Sequence, residues 1–258
     1  MKVLVPVAIA LTLALLSRSA FSPPSVPLPA PEVPAAPEQQ TPAGSIAVKG
    51  GVRIKGEMPK RAKVKVDADP KCAALHGDAP LLSDEVVADA GGRVQWAIVY
   101  VKDGLGDQKF VPPKAPVIVE QKGCRFDPHV FGVMAGQEVM FRNGDALMHI
   151  IHVIPKNNRE FGFSQEKPGE ERAKIFATKE TIRVRCEIHP WMAAWAVVLD
   201  HPYYSATGPD GKYSIRGLPP GKYTLEVWHE KYKSVTQEIQ VKEKEVTSAD
   251  FVLEEKKD

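Results

Sequence analysis

Cysteine is scarce in this 258-residue chain, which has only Cys72, Cys124 and Cys186. Three thiols are too few for a disulfide framework, and an odd count in an exported chain usually leaves one for another task. No C-x-x-C-H occurs, so covalent haem attachment is excluded. An excess of one charge is also missing: 34 Lys and Arg stand against 32 Asp and Glu, and no Lys/Arg block is interleaved with aromatics. The phosphate-neutralising surface of a nucleic-acid partner is therefore absent. Long helical periods are lacking, and only Pro70 to His76 and the polar stretch Asn157 to Lys167 hint at helix.

The apolar run Val3 to Leu16 follows Lys2 and precedes the small residues Ser19, Ala20 and Ser22, the plan of a secretory signal. Residues 1–22 are read as a cleaved signal peptide, which places the mature protein in the periplasm or outside the cell and leaves no membrane span. An uncleaved tether is the alternative. Removing this segment takes away Lys2 and Arg18 and no acid, so the formal charge falls from +2 to zero. Residues 23–44 are Pro/Ala-rich, cannot bury a core and read as an extended linker, so folded structure is expected from Ser45. The length, with 43% apolar and 26% charged residues, suits two modest domains.

Short β-branched or aromatic runs dominate the remainder: Val52 to Ile54, Val64 to Val66, Val94 to Val101, Val117 to Glu120, Glu138 to Phe141, Ile150 to Val153, Ile182 to Arg185, Ala196 to Leu199, Tyr213 to Ile215 and Tyr223 to Trp228. Asn143-Gly144-Asp145, Pro209-Asp210-Gly211 and Pro219-Pro220-Gly221 carry the turn residues of antiparallel hairpins. The pattern predicts an all-β protein built of β-sandwiches. The Lys/Glu-rich tail after Lys242 reads as a solvated strand edge and terminus.

Chemistry concentrates in Cys186-Glu187-Ile188-His189-Pro190-Trp191-Met192, where a thiolate, an imidazole and a thioether stand within one short loop. A trigonal Cys/His/His set with a weak axial Met is the ligand set of a mononuclear blue-copper electron-transfer centre. The second histidine must then come from elsewhere. Zinc is the rival metal, although a thioether adds nothing for zinc and structural zinc prefers four strong ligands. With Cys186 committed to a metal, Cys72 and Cys124 remain as a disulfide candidate, with two buried free thiols as the alternative.

Upstream of the loop stand Phe126-Asp127-Pro128, Gly136-Gln137-Glu138-Val139 and Phe141-Arg142-Asn143, then His149. This order resembles the F-x-P … G-x-x-V-x-F/W-x-N … H progression of cupredoxins. The Cys186, His189, Pro190, Trp191, Met192 spacing is similar to the short C-x2-H-P-aromatic-M loop of the amicyanin type. In that type, too, a second histidine follows the first ligand by three residues, as His152 follows His149. The resemblance covers roughly residues 116–200 and implies a Greek-key β-sandwich with one copper ion on His149, Cys186, His189 and Met192. Its function would be electron transfer with a redox protein partner, such as a cytochrome c or a periplasmic oxidoreductase.

Residues three apart on a strand face opposite ways, so His152 is expected to be a packed or hydrogen-bonded histidine. His129, His201 and His229 are read likewise, and His76 beside Cys72 is a weak second metal candidate. The resemblance implies that electrons leave by an exposed edge of His189, within an apolar patch of Pro190, Trp191, Ala193 and Ala194. Two departures from the family stand out. Ile150 replaces the asparagine that usually tethers the loop, and Met148 replaces a proline, where it either packs over the metal edge or fills core. No H-x-H pair occurs among the seven histidines, so the extra centres of multicopper oxidases and copper nitrite reductases are missing and no enzyme is expected. The alternatives are a copper storage or delivery protein and a structural surface module.

Ala206 to Leu225 resembles the T-x-x-D-G-x-Y-x-I-x-x-L-P-P-G-x-Y-x-L core of carboxypeptidase-regulatory-like, transthyretin-type β-sandwiches. Such modules present or stabilise other domains. The organisation expected is therefore residues 45–115 as an N-terminal β region, 116–200 as a cupredoxin domain and 201–258 as the regulatory-like domain. The first of these either completes the last or packs against the cupredoxin sheet.

Overall fold

The computed structural model describes residues 44–256, so the signal-like segment and nearly all of the Pro/Ala-rich linker lie outside it. The first part of the chain gives β1 (Ile46–Ile54), α1 (Pro70–His76), β2 (Val87–Ala88), β3 (Val94–Gln95) and β4 (Ile98–Asp103). The middle gives β5 (Val117–Gln121), β6 (Phe126–Asp127), β7 (Val130–Met134), β8 (Glu138–Asn143), β9 (His149–Val153), β10 (Phe161–Gln165), β11 (Glu171–Ile175), β12 (Glu180–Cys186) and β13 (Ala193–Leu199). The last part gives β14 (Tyr204–Ala206), β15 (Lys212–Arg216), β16 (Gly221–Trp228), β17 (Val235–Val241), β18 (Thr247–Ser248) and β19 (Phe251–Leu253). The fold is all-β.

Four main sheets stack face to face. The outermost, β15-β1-β18 with β19 also on β1, packs against β14-β4-β16-β17 over a core that includes Val48, Val99, Ile215 and Leu225. The second pair, β10-β9-β12-β13-β7 and β11-β8-β5-β6, encloses a core that includes Phe131, Phe141, Ile151 and Val184. The middle two sheets also press together through Ile98, Val130, Met134, Val197, Leu199 and Tyr204. Strands β1 and β4 thus pair with strands that follow residue 204, while residues 117–199 build the other sandwich.

This stacking explains what the sequence pattern hides. Strand β7 is buried at all five positions because it has core on both faces, so its sequence shows no alternation. Gly132 on that strand lets the Tyr204 ring lie directly on the backbone, since an added Cβ would fall 2.3 Å from it. The run Val94 to Val101 is split into β3 and β4 at Trp96, whose φ is 70°.

Several expectations need correction. Asn157 to Lys167 is not helical, because Phe161–Gln165 pairs in full register with β9. Val64 to Val66 is no strand, and this stretch makes one bridge, Lys63 to Leu82. The three turn motifs do not close hairpins: Asn143 to Asp145, Pro209 to Gly211 and Pro219 to Gly221 each carry the chain between different sheets of a sandwich. Turn residues fix a reversal of the backbone, not the identity of the paired strand. The tail is not a solvated edge, since Ala249, Phe251 and Leu253 are core and β18 and β19 pair in parallel with β1.

Between the sandwiches lies a buried polar cluster. Glu230 meets His129 through one carboxylate oxygen and takes the Trp195 Nε1–H at 3.0 Å with the other. The adjacent His229 Nδ1 accepts the Lys231 N–H at 3.1 Å, and its Nε2 has no hydrogen-bond partner. Burial pushes the His229 pKa down to about 4, although Glu230 pulls the other way. The folded protein therefore keeps this ring neutral below pH 6.5, where the unfolded chain takes up a proton. Stability is complete above that pH and falls as the pH drops toward 4. Urea unfolding should show a loss of about 2 kcal/mol between pH 7 and pH 5 from this group, with His201, also lowered by burial, acting in the same direction. His229→Gln should remove this contribution, so that its stability falls less between pH 7 and pH 5 than the wild type's, and an equal slope would reject the assignment.

Candidate metal centre

The centre is assembled where β9 begins and β12 ends. These strands are antiparallel with Cys186 opposite Ile151, which sets His149 at the mouth of one strand beside Cys186 at the end of the other. Along β9, His149, Ile151 and Val153 face the core while Ile150 and His152 face outward, as a two-residue period requires. Strands β12 and β13 form a hairpin whose loop carries His189 and Met192. The Cys186 N–H donates to the Met192 carbonyl at 3.1 Å and the Met192 N–H to the His189 carbonyl at 2.8 Å, which closes the loop into a compact turn.

Three donor atoms converge there. His149 Nδ1 and His189 Nδ1 are 3.1 Å apart, and Cys186 Sγ is 4.0 and 3.5 Å from them. The centre of a triangle with these sides lies about 2.1 Å from each corner, close to metal–imidazole bond lengths and slightly short for a metal–thiolate bond. Both Nε2 atoms face carboxylates, Asp145 for His149 and Asp69 for His189, each at 3.1 Å. With Nε2–H donated to its carboxylate, a neutral ring turns its Nδ1 lone pair toward the sulfur, and a protonated ring donates its Nδ1–H to the sulfur instead. A cation held by all three atoms would satisfy the neutral rings and the thiolate together, and the soft thiolate with two imidazoles fits copper. Met192, which would supply the thioether, is 1% exposed at the end of the loop.

The electrostatics agree. Burial opposes ionisation of Cys186, yet hydrogen bonds from His149 and His189, aided by the backbone of Ile150 and Ile188, bring its pKa down to about 6. Burial also disfavours charge on both imidazoles, but the carboxylates and the sulfur outweigh it and raise both. Asp69 is lowered chiefly by its bond to His189. Asp145 is lowered because His149 and the backbone N–H groups of Cys124 and Gly123 outweigh its burial.

The expected exposed edge of His189 is corrected by the structure. This residue is 1% exposed and Ala194 is fully buried, so the ring does not reach the surface, although Pro190 beside it is exposed and Trp191 and Ala193 are partly so. The cause is a contact between distant segments. Residues 62–83 fold back on themselves around α1, through hydrogen bonds from Val64 to Leu81 and from Ser83 to Ala62, and bring Asp69 onto His189 Nε2. Cys72 of α1 is joined to Cys124 by a disulfide, and Trp191 Nε1 donates to the Cys124 carbonyl at 3.1 Å. A ring nitrogen of His189 and both sulfurs of that disulfide lie within 4.8 Å of one another, but the disulfide leaves no thiolate there to bind metal.

The remaining expectations divide. Ile150 does replace a side-chain tether, but its carbonyl accepts the Glu187 N–H at 2.9 Å, so backbone does the tethering. Met148 is 40% exposed and fills no core. His152 lies on the surface with Glu160, Glu187 and Arg185. His76 Nε2 bonds the Gly123 carbonyl at 3.0 Å and, among the described residues, joins no ligand cluster. Asp69 and Asp145 escaped the sequence reading. Asp145 sits in a motif read only as a turn, while Asp69 precedes Pro70 as the helix N-cap, a position that signals a helix start and nothing about a metal.

Residues 192–254 match the carboxypeptidase regulatory-like domain family. No curated protein matches the chain. Among solved structures it is similar to a copper-containing nitrite reductase from Thermus scotoductus, at 23% identity over 38% of this chain and 26% of the reductase, with a TM-score of 0.33. It is also similar to a purple cupredoxin from Nitrosopumilus maritimus, at 18% identity over 32% of this chain and 99% of that one, with a TM-score of 0.29. A Cu(I) amicyanin variant is 19% identical over 38% of this chain and 97% of its own, with a TM-score of 0.31. The chain thus spans about a quarter of the reductase. Among the described residues no helix is long and apolar enough to cross a membrane.

Proposed function

We propose that this chain is an exported, mononuclear copper protein that carries single electrons. His149, Cys186 and His189 would hold the ion, with Met192 as a weak axial ligand. The observation that supports it most is the convergence of the two Nδ1 atoms and the Cys186 sulfur, each buried and each held from behind by the protein. Copper bound there would supply a one-electron Cu(II)/Cu(I) couple, the thiolate and thioether favouring Cu(I) and the imidazoles accommodating Cu(II).

The chain's own residues supply rigidity. Backbone hydrogen bonds fix the loop, the β9–β12 register fixes His149 against Cys186, and the carboxylates fix both rings, so little rearrangement accompanies a change of charge. The electron partner is proposed to be another redox protein, with no substrate transformed and no nucleic acid bound. The regulatory-like sandwich would serve to present the copper-bearing one.

Adding Cu(II) to the purified protein should give an intense visible thiolate-to-copper band and a narrow-hyperfine EPR signal, with reversible one-electron voltammetry. A colourless adduct would reject this reading. The cover over His189 favours a second reading, copper storage or delivery, in which reduction releases the metal and the voltammetry is irreversible.

A further inference from the structure

Both histidines of the triad carry a carboxylate on the nitrogen that faces away from the sulfur, and both carboxylates rest on one disulfide. Asp145 Oδ2 meets His149 Nε2 at 3.1 Å and takes the Cys124 N–H at 2.9 Å, while its Oδ1 takes the Gly123 N–H at 2.8 Å. Asp69 Oδ2 meets His189 Nε2 at 3.1 Å, while its Oδ1 takes the N–H groups of Lys71 at 2.8 Å and Cys72 at 3.3 Å. The Cys72–Cys124 bond thus joins the two peptide units that aim the two carboxylates.

Resting on the copper reading, we propose that Asp69 and Asp145 are positioning residues that set the centre's preference for Cu(II) over Cu(I), and that the Cys72–Cys124 disulfide is the staple that keeps both aimed. A carboxylate on the far nitrogen of a ligand imidazole makes the ring a stronger donor and fixes its orientation. An ion held there would have a thiolate beside it and a carboxylate behind each imidazole, and the more highly charged Cu(II) would gain more from them than Cu(I). Both rings and Asp145 are buried, so solvent screens that side weakly, whereas the Asp69 side chain is 30% exposed and is screened more.

Asp69 allows the cleaner test. Asparagine caps a helix as well as aspartate, so Asp69→Asn keeps the bonds from Lys71 and Cys72 on its one carboxamide oxygen, while its NH2 replaces the charged oxygen that faced His189. Chelator competition with the full-length variant should show Cu(II) affinity reduced about 10- to 100-fold, with Cu(I) affinity nearly unchanged. Voltammetry should then show a potential raised by about 60–120 mV, at 59 mV per tenfold for one electron. Asp69→Glu, which keeps the charge, should stay near the wild-type potential, and C72S/C124S, which frees both carboxylates, should move it upward.

An unchanged potential in Asp69→Asn protein would overturn the proposal. So would a parallel fall in Cu(I) and Cu(II) affinity, the mark of a purely structural role. A wild-type protein that binds no copper would defeat the copper reading and this inference together, whereas a coloured wild type with an Asp69→Asn variant of equal potential would defeat this inference alone.

Discussion

Cys186→Ser protein exposed to Cu(II) is expected to show no visible charge-transfer band and to bind the ion about a hundredfold more weakly. The size follows from the free energy of comparable four-ligand sites, about 10–16 kcal/mol, of which one strong ligand accounts for roughly 3 kcal/mol. The band is lost because it arises from sulfur-to-copper charge transfer, and no other free cysteine occurs among the described residues. The fold should survive, since serine is nearly isosteric and the loop is closed by backbone hydrogen bonds between Cys186, His189 and Met192. Far-ultraviolet circular dichroism provides that control. A band that persists in folded Cys186→Ser protein would remove the thiolate from the site.

The C72S/C124S variant is expected to lose about 4 kcal/mol of stability, the loop-closure value for a 52-residue separation, and roughly 10 °C in Tm. The bond ties α1 and its flanking segment to the loop before β6, and among the described residues that segment contributes few large side chains to the core. Cys72 is the only buried residue of the helix itself, and Leu81 is the nearby apolar anchor. Denaturant unfolding of the double variant beside the wild type measures the loss. A loss below about 1 kcal/mol would mean that the Arg61–Asp84–Arg125 ion pairs and Leu81 hold the segment by themselves.

How much of this was legible depended on how far apart the cooperating residues lie. Cys186, His189 and Met192 stand within seven positions, and their chemistry is readable as a spacing. His149 is legible only by likeness to a family, because nothing local distinguishes it from His152 until the strand's two faces are assigned. The partner of His189 is 120 residues away in sequence, at Asp69, and no local pattern announces a contact of that kind. For the same reason the sequence suggested an exposed edge of His189 where the structure buries the ring. Among the strands, alternating half-buried ones such as β12 and β16 are plain in the sequence, whereas β7 is not, because stacking on both faces erases the alternation.

The pairing of β4 with β14 has a mechanical consequence. The chain leaves the outer sandwich at the end of β4 and returns to it at β14, and these strands are hydrogen-bonded neighbours, with Tyr204 opposite Tyr100. The sandwich of residues 117–199 is therefore joined to the outer one by two adjacent stems about 4.8 Å apart, and the Cys72–Cys124 bond adds a third tie. A body on one leash swivels freely, whereas two neighbouring stems and a broadside contact through Ile98, Val130, Met134, Val197, Leu199 and Tyr204 oppose both swivel and tilt. The loop that carries Cys186 and His189 thus keeps one bearing relative to the outer sandwich.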